Sequence, residues 1–530
     1  MPQIAHRILI ACLAALFLLA GATALLYAQG YRLGWRPLAI VKVGAIFVRS
    51  FPSNANITLD GKPIARDWHL FGSGTFINGL FPKTYAFELT ADGYRPWQCT
   101  VNVAPAMVAE LMNVVLLPAS STFVLSGPVE DVWVVQGEPV VKKSGDGLLT
   151  ARGEKLAGVE VVSVADGANE LLTRQPVTGS TGSPQAGSTG SPQAGSTGSP
   201  QAGSTGSPQA GDYVLNDLTN GSSTNVSALV RRLAPSPDRA VQRQTALAGK
   251  ETISSNNTIS GSSSSATGRS GEQSARLGAG LAPSPAGAGP SSSTARASDE
   301  YLLDPAGAGQ LVRIGKNGLS LLDVGRKTLS PIRESATSTI DHAAALPSWL
   351  AWTSFIPNSN TSRISAYDRF ANRLAHADTV VPGRAIELQR VGDNRLALLQ
   401  DDHSLYVYDL PGDTLTKVAS DVRLFAVVDD GSLIATVGSR SMEILPLSNP
   451  KDYARFNIPD AEHVTAVAWY ADRQHLFIHY ADRTAFLGLD DVSLQNLGTV
   501  VPTGMSRYDR TSNTLYFVSD GELLKYEFPR

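Results

Sequence analysis

The stretch RLALLQDDHSLYVYDL, residues 395–410, decides the fold of most of the chain. Leu396 and Leu398 alternate with other side chains on a first arm, Leu405 and Val407 do so on a second, and a polar run joins the arms. Alternation with a period of two places one face of each arm in a core, so the stretch predicts a β-hairpin. The same plan recurs at residues 310–323, 349–368, 432–447, 475–490 and 514–528.

The six hairpins end 37 to 45 residues apart. A period near forty with about four short strands in each repeat is typical of a β-propeller. The predicted fold class is therefore mainly β, with a propeller-like domain of about seven blades over residues 119–530. A further hairpin at 132–143 would make an eighth blade, and residues 122–126 could supply the closing strand of the last one.

Low-complexity sequence interrupts the repeats twice. The octapeptide GSTGSPQA occurs four times without change within residues 179–210, and a tract rich in Ser, Gly, Ala, Pro and Thr covers 232–297. Neither tract has an apolar period that could form a core, so both are predicted to be disordered loops.

The sequence around the first tract resembles the two arms of one hairpin. Residues 170–173 precede it and residues 213–217 follow it, and both match the arms of the later hairpins. We therefore predict that residues 176–211 form a loop inserted in a hairpin turn, where added length costs little entropy.

The N-terminal run 8–28 has no charged side chain and is long enough to span a bilayer as a single transmembrane helix. Residues 1–7 would then be a short tail, and residues 29–42 a juxtamembrane segment. The alternative is a cleaved signal peptide, with Ala22-Thr23-Ala24 as a small-residue cleavage site. Basic residues lie on both sides of the run, so charge alone does not orient the chain.

Residues 43–118 predict a compact β-domain. Strand signals at 45–49, 56–59, 85–90, 98–103 and 109–116 are separated by explicit turns, among them Asp60-Gly61-Lys62 and Asp92-Gly93.

The segments GAIFV (44–48), PSNA (52–55), LDGK (59–62), LFPKTY (80–85) and GY (93–94) resemble the PEGA domain, a small β-sandwich-like module of prokaryotic surface and envelope proteins. The approach GYRL, just after a single membrane helix, also resembles uncharacterised anchored PEGA proteins of bacteria. The resemblance implies a single-pass protein of the cell membrane with an extracytoplasmic body, and it implies no catalytic residue.

Composition excludes several classes of function. The net charge of −3 and the pI near 6.3 give no basic field for nucleic acid. The two cysteines, Cys12 and Cys99, are too few for a disulfide framework or a zinc site.

A few residues could be taken for chemistry, and each has a structural interpretation that we prefer. His475 and His479 would share a strand face as metal ligands, but without a third ligand they are predicted to lie at the surface or in a central channel. The pairs Asp401-Asp402, Asp429-Asp430 and Asp490-Asp491 are predicted to stabilise turns. The aromatic residues Trp68, Tyr85, Tyr94 and Trp97 are predicted to fill a core rather than to stack on a carbohydrate. No catalytic, cofactor-binding or metal-binding residue is assigned.

The leading hypothesis is a non-catalytic, membrane-anchored envelope protein that binds a cell-wall glycan or an envelope protein. One alternative is a propeller hydrolase or lyase of envelope polymers, which would use carboxylates gathered from separate blades. The other is a scaffold whose body faces the cytoplasm.

Overall fold

A computed structural model describes residues 2–35, 38–64, 74–164, 169–175, 211–233, 299–315, 318–334, 340–489 and 497–529. These residues are mainly β, as the alternating pattern predicts. The chain divides into two compact units, one formed by Met1–Leu156 with Val381–Arg530 and the other by Ala157–Val380. We call these unit 1 and unit 2.

Unit 1 begins with helix α1 (Pro2–Ala28), which contains the predicted run 8–28. The structure describes its side chains from Cys12 onward, and the large apolar ones are exposed, with Phe17 at 78%. No helix in the described part of the chain combines the length and the apolar character needed to cross a membrane. The helix is confirmed, and its membrane-spanning role stays a prediction. A two-stranded hairpin of β1 (Tyr31–Trp35) and β2 (Leu38–Lys42) follows.

Seven strands then form a small β-domain with one core. They are β3 (Gly44–Phe51), β4 (Asn56–Leu59), β5 (Lys62–Ile64), β6 (Thr75–Leu80), β7 (Lys83–Thr90), β8 (Trp97–Val103) and β9 (Val108–Val115). One sheet has the order β6-β3-β9 and the other β5-β4-β7-β8. Side chains from both sheets, such as Ile46 and Phe87, meet in the core.

The five strands that the sequence predicts in this domain are confirmed. Strands β5 and β6 were not predicted. Strand β5 has only three residues and none of them is buried, so it carries no alternating signal. The predicted Asp60-Gly61 turn joins β4 to β5 as a two-residue connection, with positive φ at both positions, as a tight hairpin requires.

The rest of the chain is a succession of small antiparallel sheets. In unit 1, β10 (Thr122–Leu125) precedes a sheet of β11 (Val129–Val135), β12 (Glu138–Lys143) and β13 (Gly147–Thr150). In unit 2, the sheets are β14 (Glu160–Val164), β15 (Glu170–Arg174), β16 (Tyr213–Asp217), β17 (Ser222–Asn225); β18 (Glu300–Leu303), β19 (Gln310–Gly315), β20 (Gly318–Asp323), β21 (Thr328–Glu334); and β22 (His342–Ala345), β23 (Trp349–Ile356), β24 (Thr361–Asp368), β25 (Arg373–Pro382). Helix α2 (Val226–Leu233) follows β17.

Unit 1 then resumes with three four-stranded sheets and a final group of three strands. These are β26 (Ala385–Val391), β27 (Arg395–Gln400), β28 (Leu405–Asp409), β29 (Thr414–Ala419); β30 (Leu424–Val427), β31 (Leu433–Val437), β32 (Met442–Pro446), β33 (Ala454–Phe456); β34 (Val464–Trp469), β35 (His475–Tyr480), β36 (Thr484–Gly488), β37 (Leu497–Val501); and β38 (Ser506–Asp509), β39 (Thr514–Ser519), β40 (Glu522–Glu527). The arms of all six predicted hairpins are present as paired strands.

Strand β10 completes the last sheet. It pairs antiparallel with β40, with Thr122 opposite Lys525, although about 400 positions separate them in the sequence. The predicted closing strand at 122–126 is confirmed. This pairing gives the last sheet its fourth strand, and it is consistent with a β-propeller-like fold.

The described residues form eight such sheets, one more than the predicted seven. The additional sheet is β11-β12-β13, which contains the hairpin that the sequence left open as an eighth. Its three strands lack the fourth that the other sheets have, so its repeat is shorter than the average period.

The two arms that flank the predicted inserted loop are paired strands of unit 2, and the loop itself stays a prediction. Strands β15 and β16 pair from Glu170 opposite Asp217 to Arg174 opposite Tyr213. The ladder continues to the base of the loop, where the Gly211 N–H donates to the Gln175 carbonyl at 2.9 Å. The octapeptide repeats between these arms lie outside the described residues.

We expect deletion of residues 179–210 to leave thermal unfolding almost unchanged. The strand ladder is complete without the tract, and loop closure varies only slowly with loop length, by about 0.6 kcal/mol for each doubling. Differential scanning calorimetry of the full-length and deleted chains checks this. A fall of more than a few degrees in Tm would show that the tract contributes to the folded core.

The second predicted loop, 232–297, also begins and ends in unit 2. Helix α2 runs to Leu233, two residues into the tract, and β18 begins just after its end. Tyr213, at the end of the first loop, packs against Tyr301, at the end of the second, with 4.9 Å between the ring centres. The described residues that follow the two low-complexity segments therefore meet in one pair of buried rings.

Candidate functional site

The turns between the first and second strands of five sheets in unit 1 touch one another in a row. They are the β11–β12, β38–β39, β34–β35, β30–β31 and β26–β27 turns, and we call them the turn row. The Tyr516 hydroxyl, on β39, donates to the Gly137 carbonyl in the β11–β12 turn at 3.0 Å. At the other end, Gly431 lies against Gly392 so closely that a Cβ at position 431 would be 2.8 Å from the Gly392 nitrogen.

Two arginines hold the middle of the turn row together. Arg510 pairs with Asp429 and also donates to the Ala471 carbonyl at 3.2 Å, so one side chain joins three turns. Arg473 pairs with Asp430. Both arginine side chains remain partly exposed, at 29% for Arg510 and 45% for Arg473.

Aspartates shape three of these turns from within. The Ser432 N–H donates to Asp430 at 3.0 Å, the Gln474 N–H donates to Asp472 at 2.8 Å, and the β38–β39 turn has the same arrangement around its own aspartate. These are the side-chain to backbone bonds that favour Asp in turns. The hydrogen bonds from Ser432, with smaller contributions from Arg473 and Arg510, lower the pKa of Asp430.

Asp402 and Asp430 have the predicted turn role, whereas Asp401 and Asp429 bond to other parts of the chain. Asp401 accepts the Arg384 N–H at 3.1 Å, and Asp402 accepts the N–H and hydroxyl of Ser404. Asp491 and its neighbour 490 lie outside the described residues.

Exposed ion pairs of this kind add little to stability, because solvent and salt screen them. Their effect is geometric. Each guanidinium is held in one orientation by a carboxylate or a carbonyl, so the turn row presents fixed charges rather than freely moving ones. A partner that binds such a surface loses less conformational entropy there.

The small β-domain packs beside this row. Phe51 and Val115 join an aromatic cluster of the last two sheets that includes Phe528. The Arg95 guanidinium donates to the Tyr526 hydroxyl at 2.9 Å. Asn113 bonds to Gln474, which follows Arg473 in the β34–β35 turn, so the small domain and the turn row are parts of one assembled surface.

The two histidines on β35 are buried, so their predicted place at the surface or in a channel is wrong. His475 Nδ1 lies 2.6 Å from Asp472, and its ring stacks on Phe486 with 4.8 Å between centres. His479 Nδ1 lies 3.0 Å from the buried hydroxyl of Ser506. Each ring is held by its own partner, which explains both residues without a metal.

Burial, with a smaller contribution from the charge of Arg507, lowers the pKa of His479 from 6.5 to about 3. The unfolded chain therefore binds a proton at this residue between these pH values and the folded chain does not. Stability from this residue is present above the unfolded pKa and is lost as pH falls. We expect this residue to lower the free energy of unfolding by about 2 kcal/mol between pH 7 and pH 5.

Urea unfolding of the wild type and of His479→Gln at both pH values measures this loss. The variant should lose about 2 kcal/mol less than the wild type on acidification. His463→Gln is the matched control, because His463 is an exposed histidine in the same unit, and it should keep the slope of the wild type. Equal slopes in all three chains would contradict the assignment.

The aromatic residues of the small domain have the predicted core role. Tyr85 is 7% exposed, and Trp97 packs edge-on against buried Phe87 at 6.3 Å. Tyr94 packs against the same core. Trp68 lies outside the described residues.

Among the described residues, the one group with the spacing of metal ligands is Asp460, Glu462 and His463, all exposed. Arg483 already donates to Asp460 at 2.8 Å, so a cation there would compete with a fixed positive charge. Sequence reasoning missed this group, since three polar residues in a turn look the same with or without a ligand.

No family model matches the chain, and no curated protein matches it. Among solved structures, it is similar to PorZ, an essential bacterial surface component of the type-IX secretion system of Porphyromonas gingivalis, at 13% identity and a TM-score of 0.36, over 75% of this chain and 42% of that one. It is also similar to oligogalacturonate lyase from Vibrio parahaemolyticus, at 11% identity and a TM-score of 0.31, over 43% of this chain and 78% of that one. The chain thus spans less than half the length of the PorZ chain.

Proposed function

We propose that this protein is a non-catalytic component of the bacterial cell envelope, attached to the membrane through residues 8–28, whose turn row binds a glycan or protein partner. The observation that carries the proposal is the turn row. Five turns from separate sheets meet in one continuous surface, on which Arg473 and Arg510 are held in fixed positions by aspartates.

Two further features support an envelope role. Residues 43–118 resemble the PEGA domain, whose family is found on prokaryotic surface and envelope proteins. This module is fixed to the turn row through Asn113 and to strand β40 through Arg95. The body would therefore present the turn row at a constant distance from the point of membrane attachment.

A binding role accounts for the turn row better than catalysis does. A hydrolase or lyase needs an acid and a base that reach solvent within hydrogen-bond distance of a substrate. Asp472 and His475 are the closest such pair in the turn row, but the His475 side chain is only 8% exposed and is stacked on a ring. The contact between Asp472 and His475 instead orients the β34–β35 turn.

We expect the double variant Arg473→Glu, Arg510→Glu to bind its envelope ligand about tenfold more weakly or worse, because arginines fixed at the centre of an interface carry much of its binding energy. The measurement is sedimentation of the full chain with a panel of purified cell-wall and envelope polysaccharides, and with envelope proteins. Arg326→Glu is the control, since this arginine is 84% exposed and lies in unit 2.

Three outcomes of the same experiment decide among the functions. Weaker binding by the double variant alone supports the proposal. Equal binding by the wild type, the double variant and Arg326→Glu would show that the ligand binds outside the turn row. Soluble products from a polysaccharide would replace the binding role by the hydrolase or lyase alternative.

Labelling of Phe370→Cys, at an 86% exposed position, in intact cells separates an extracytoplasmic body from a cytoplasm-facing scaffold.

A further inference from the structure

The N-terminal part of the chain has a charge pattern unlike the rest. Its first 59 residues contain five Lys or Arg and no Asp or Glu, although the whole chain has 44 basic and 47 acidic residues. Two of the five cations, Arg32 and Lys42, belong to the hairpin β1–β2. The hairpin therefore carries uncompensated positive charge.

One face of this hairpin is apolar and exposed. Leu33 lies directly opposite Ile40, so their side chains share a face of the two strands. They are 49% and 61% exposed. Tyr31 lies opposite Lys42 two positions along, which places this second pair on the same face. An apolar pair is thus bordered by an aromatic ring and a cation.

The hairpin is fixed to the end of α1. The Arg32 guanidinium lies 3.5 Å from the centre of the Tyr27 ring, and it donates to the Tyr27 carbonyl at 2.9 Å. The Val43 N–H donates to the Gly30 carbonyl at 2.9 Å and closes the base of the hairpin. The hairpin with its exposed apolar face thus lies next to the end of α1, whose large apolar side chains are also exposed.

The small β-domain contributes at the same place. The Ala106 N–H donates to the Val43 carbonyl at 3.1 Å, which ties the β8–β9 turn to the base of the hairpin. The next two side chains, Met107 and Val108, are 61% and 44% exposed.

We propose that the hairpin β1–β2 lies on the surface of a bilayer that contains anionic phospholipids, with Leu33 and Ile40 at the boundary between headgroups and acyl chains. Lys42, which borders the same face, then contacts a lipid phosphate. This inference rests on the proposed attachment through α1 and adds to it a second, lipid-selective contact. Apolar side chains flanked by aromatic residues and cations are the composition that binds a membrane interface.

A lipid surface fits this face better than a protein does. The hairpin is fixed to the end of α1, whose environment in the proposed function is already lipid, and the charge of Lys42 beside the apolar pair is complementary to anionic headgroups. Long basic side chains can keep their charges among the phosphates while their aliphatic stems cover apolar surface.

The test uses the full chain with Cys12 and Cys99 replaced by serine, reconstituted into vesicles of phosphatidylcholine with or without phosphatidylglycerol. An environment-sensitive fluorophore is attached at Ile40→Cys, and quenching by lipids with a nitroxide headgroup is measured. Leu374→Cys is the control, because Leu374 is an apolar residue of unit 2 with 50% exposure.

We expect severalfold stronger quenching at position 40 than at position 374. We also expect Lys42→Gln to remove the difference between the two vesicle compositions.

Vesicle flotation of the same samples separates this inference from the proposed function. A chain that floats with the vesicles but shows equal quenching at both positions keeps its attachment and overturns the hairpin contact. A chain that does not float overturns both. Strong quenching at position 40 that is the same in both lipid mixtures overturns the anionic selectivity.

Discussion

We expect replacement of Arg369 by alanine to lower the free energy of unfolding by about 3–5 kcal/mol, because it leaves a buried carboxylate without its partner. The Asp304 side chain is fully buried and that of Arg369 is 13% exposed. Two guanidinium nitrogens donate to the two carboxylate oxygens at 2.7 and 2.9 Å.

This pair joins two sheets of unit 2. Asp304 lies in the turn that follows β18, and Arg369 in the turn that follows β24. The Ala306 N–H also donates to Asp304, at 3.0 Å, and a single backbone bond cannot replace the lost arginine. The loss should therefore appear as weakened packing between these sheets as well as in global stability.

Equilibrium urea unfolding measures the change in free energy, and hydrogen exchange of unit 2 locates it. Arg326→Ala is the matched control, since Arg326 is 84% exposed and lies 3.8 Å from Asp323, and no measurable change is expected from it. The double variant Arg369→Met, Asp304→Leu should recover much of the lost stability, because it removes both buried charges together. A loss below about 1 kcal/mol in Arg369→Ala would show that water reaches Asp304.

The second large effect is expected from Phe477, whose truncation to alanine should cost about 3–5 kcal/mol. Phe477 is fully buried in a cluster of rings, with Tyr508 at 4.8 Å, Phe486 at 4.9 Å and Phe528 at 5.5 Å between ring centres. The cavity would remain open, because its walls are rigid rings from β36, β38 and the C-terminal end of the chain.

The same substitution should loosen the small β-domain. Phe51 and Leu117 pack against the cluster that Phe477 belongs to, so a cavity there weakens the base on which the domain rests. Limited proteolysis should cut residues 44–118 faster in Phe477→Ala than in the wild type. Phe370→Ala is the control, because Phe370 is 86% exposed and its removal opens no cavity. Unchanged proteolysis despite a large loss of stability would show that the domain is held by Arg95 and Asn113 instead.

Position 477 also offers a graded test. Phe477→Leu keeps most of the side-chain volume, so its cost should stay below about 1.5 kcal/mol. If leucine and alanine destabilised the protein equally, the ring contacts rather than the filled volume would account for the role of Phe477.

The hairpins were predictable because they are local. In the stretch 395–410, the alternation of apolar residues decides which face of each strand is buried, and the polar run between the arms decides where the chain turns. The split hairpin around residues 176–211 could be recognised for the same reason, since its arms keep their pattern on either side of the inserted repeats. Aspartates at positions such as 402 and 430 stabilise the turns through their own neighbours in the chain.

The contacts that define the candidate site were not predictable in this way. Arg473 pairs with a residue 43 positions away, Arg510 with one 81 positions away, and Arg369 with one 65 positions away. A period of two says that a side chain is buried or exposed, but it does not say which sheet lies beside it. The histidines of β35 show the same limit, because their burial depends on rings and hydroxyls supplied by β36 and β38.

By itself, then, the sequence determined the hairpins, their turns, the places where low-complexity segments interrupt them, and the helix at the N-terminus. The tertiary structure alone decided the number of sheets, the contact between the small domain and the last sheets, and the joining of five turns into one charged surface. The physical reason is that strand alternation and turn chemistry act between neighbours in the chain. Packing of one sheet on the next brings together side chains whose separation in sequence carries no periodic signal.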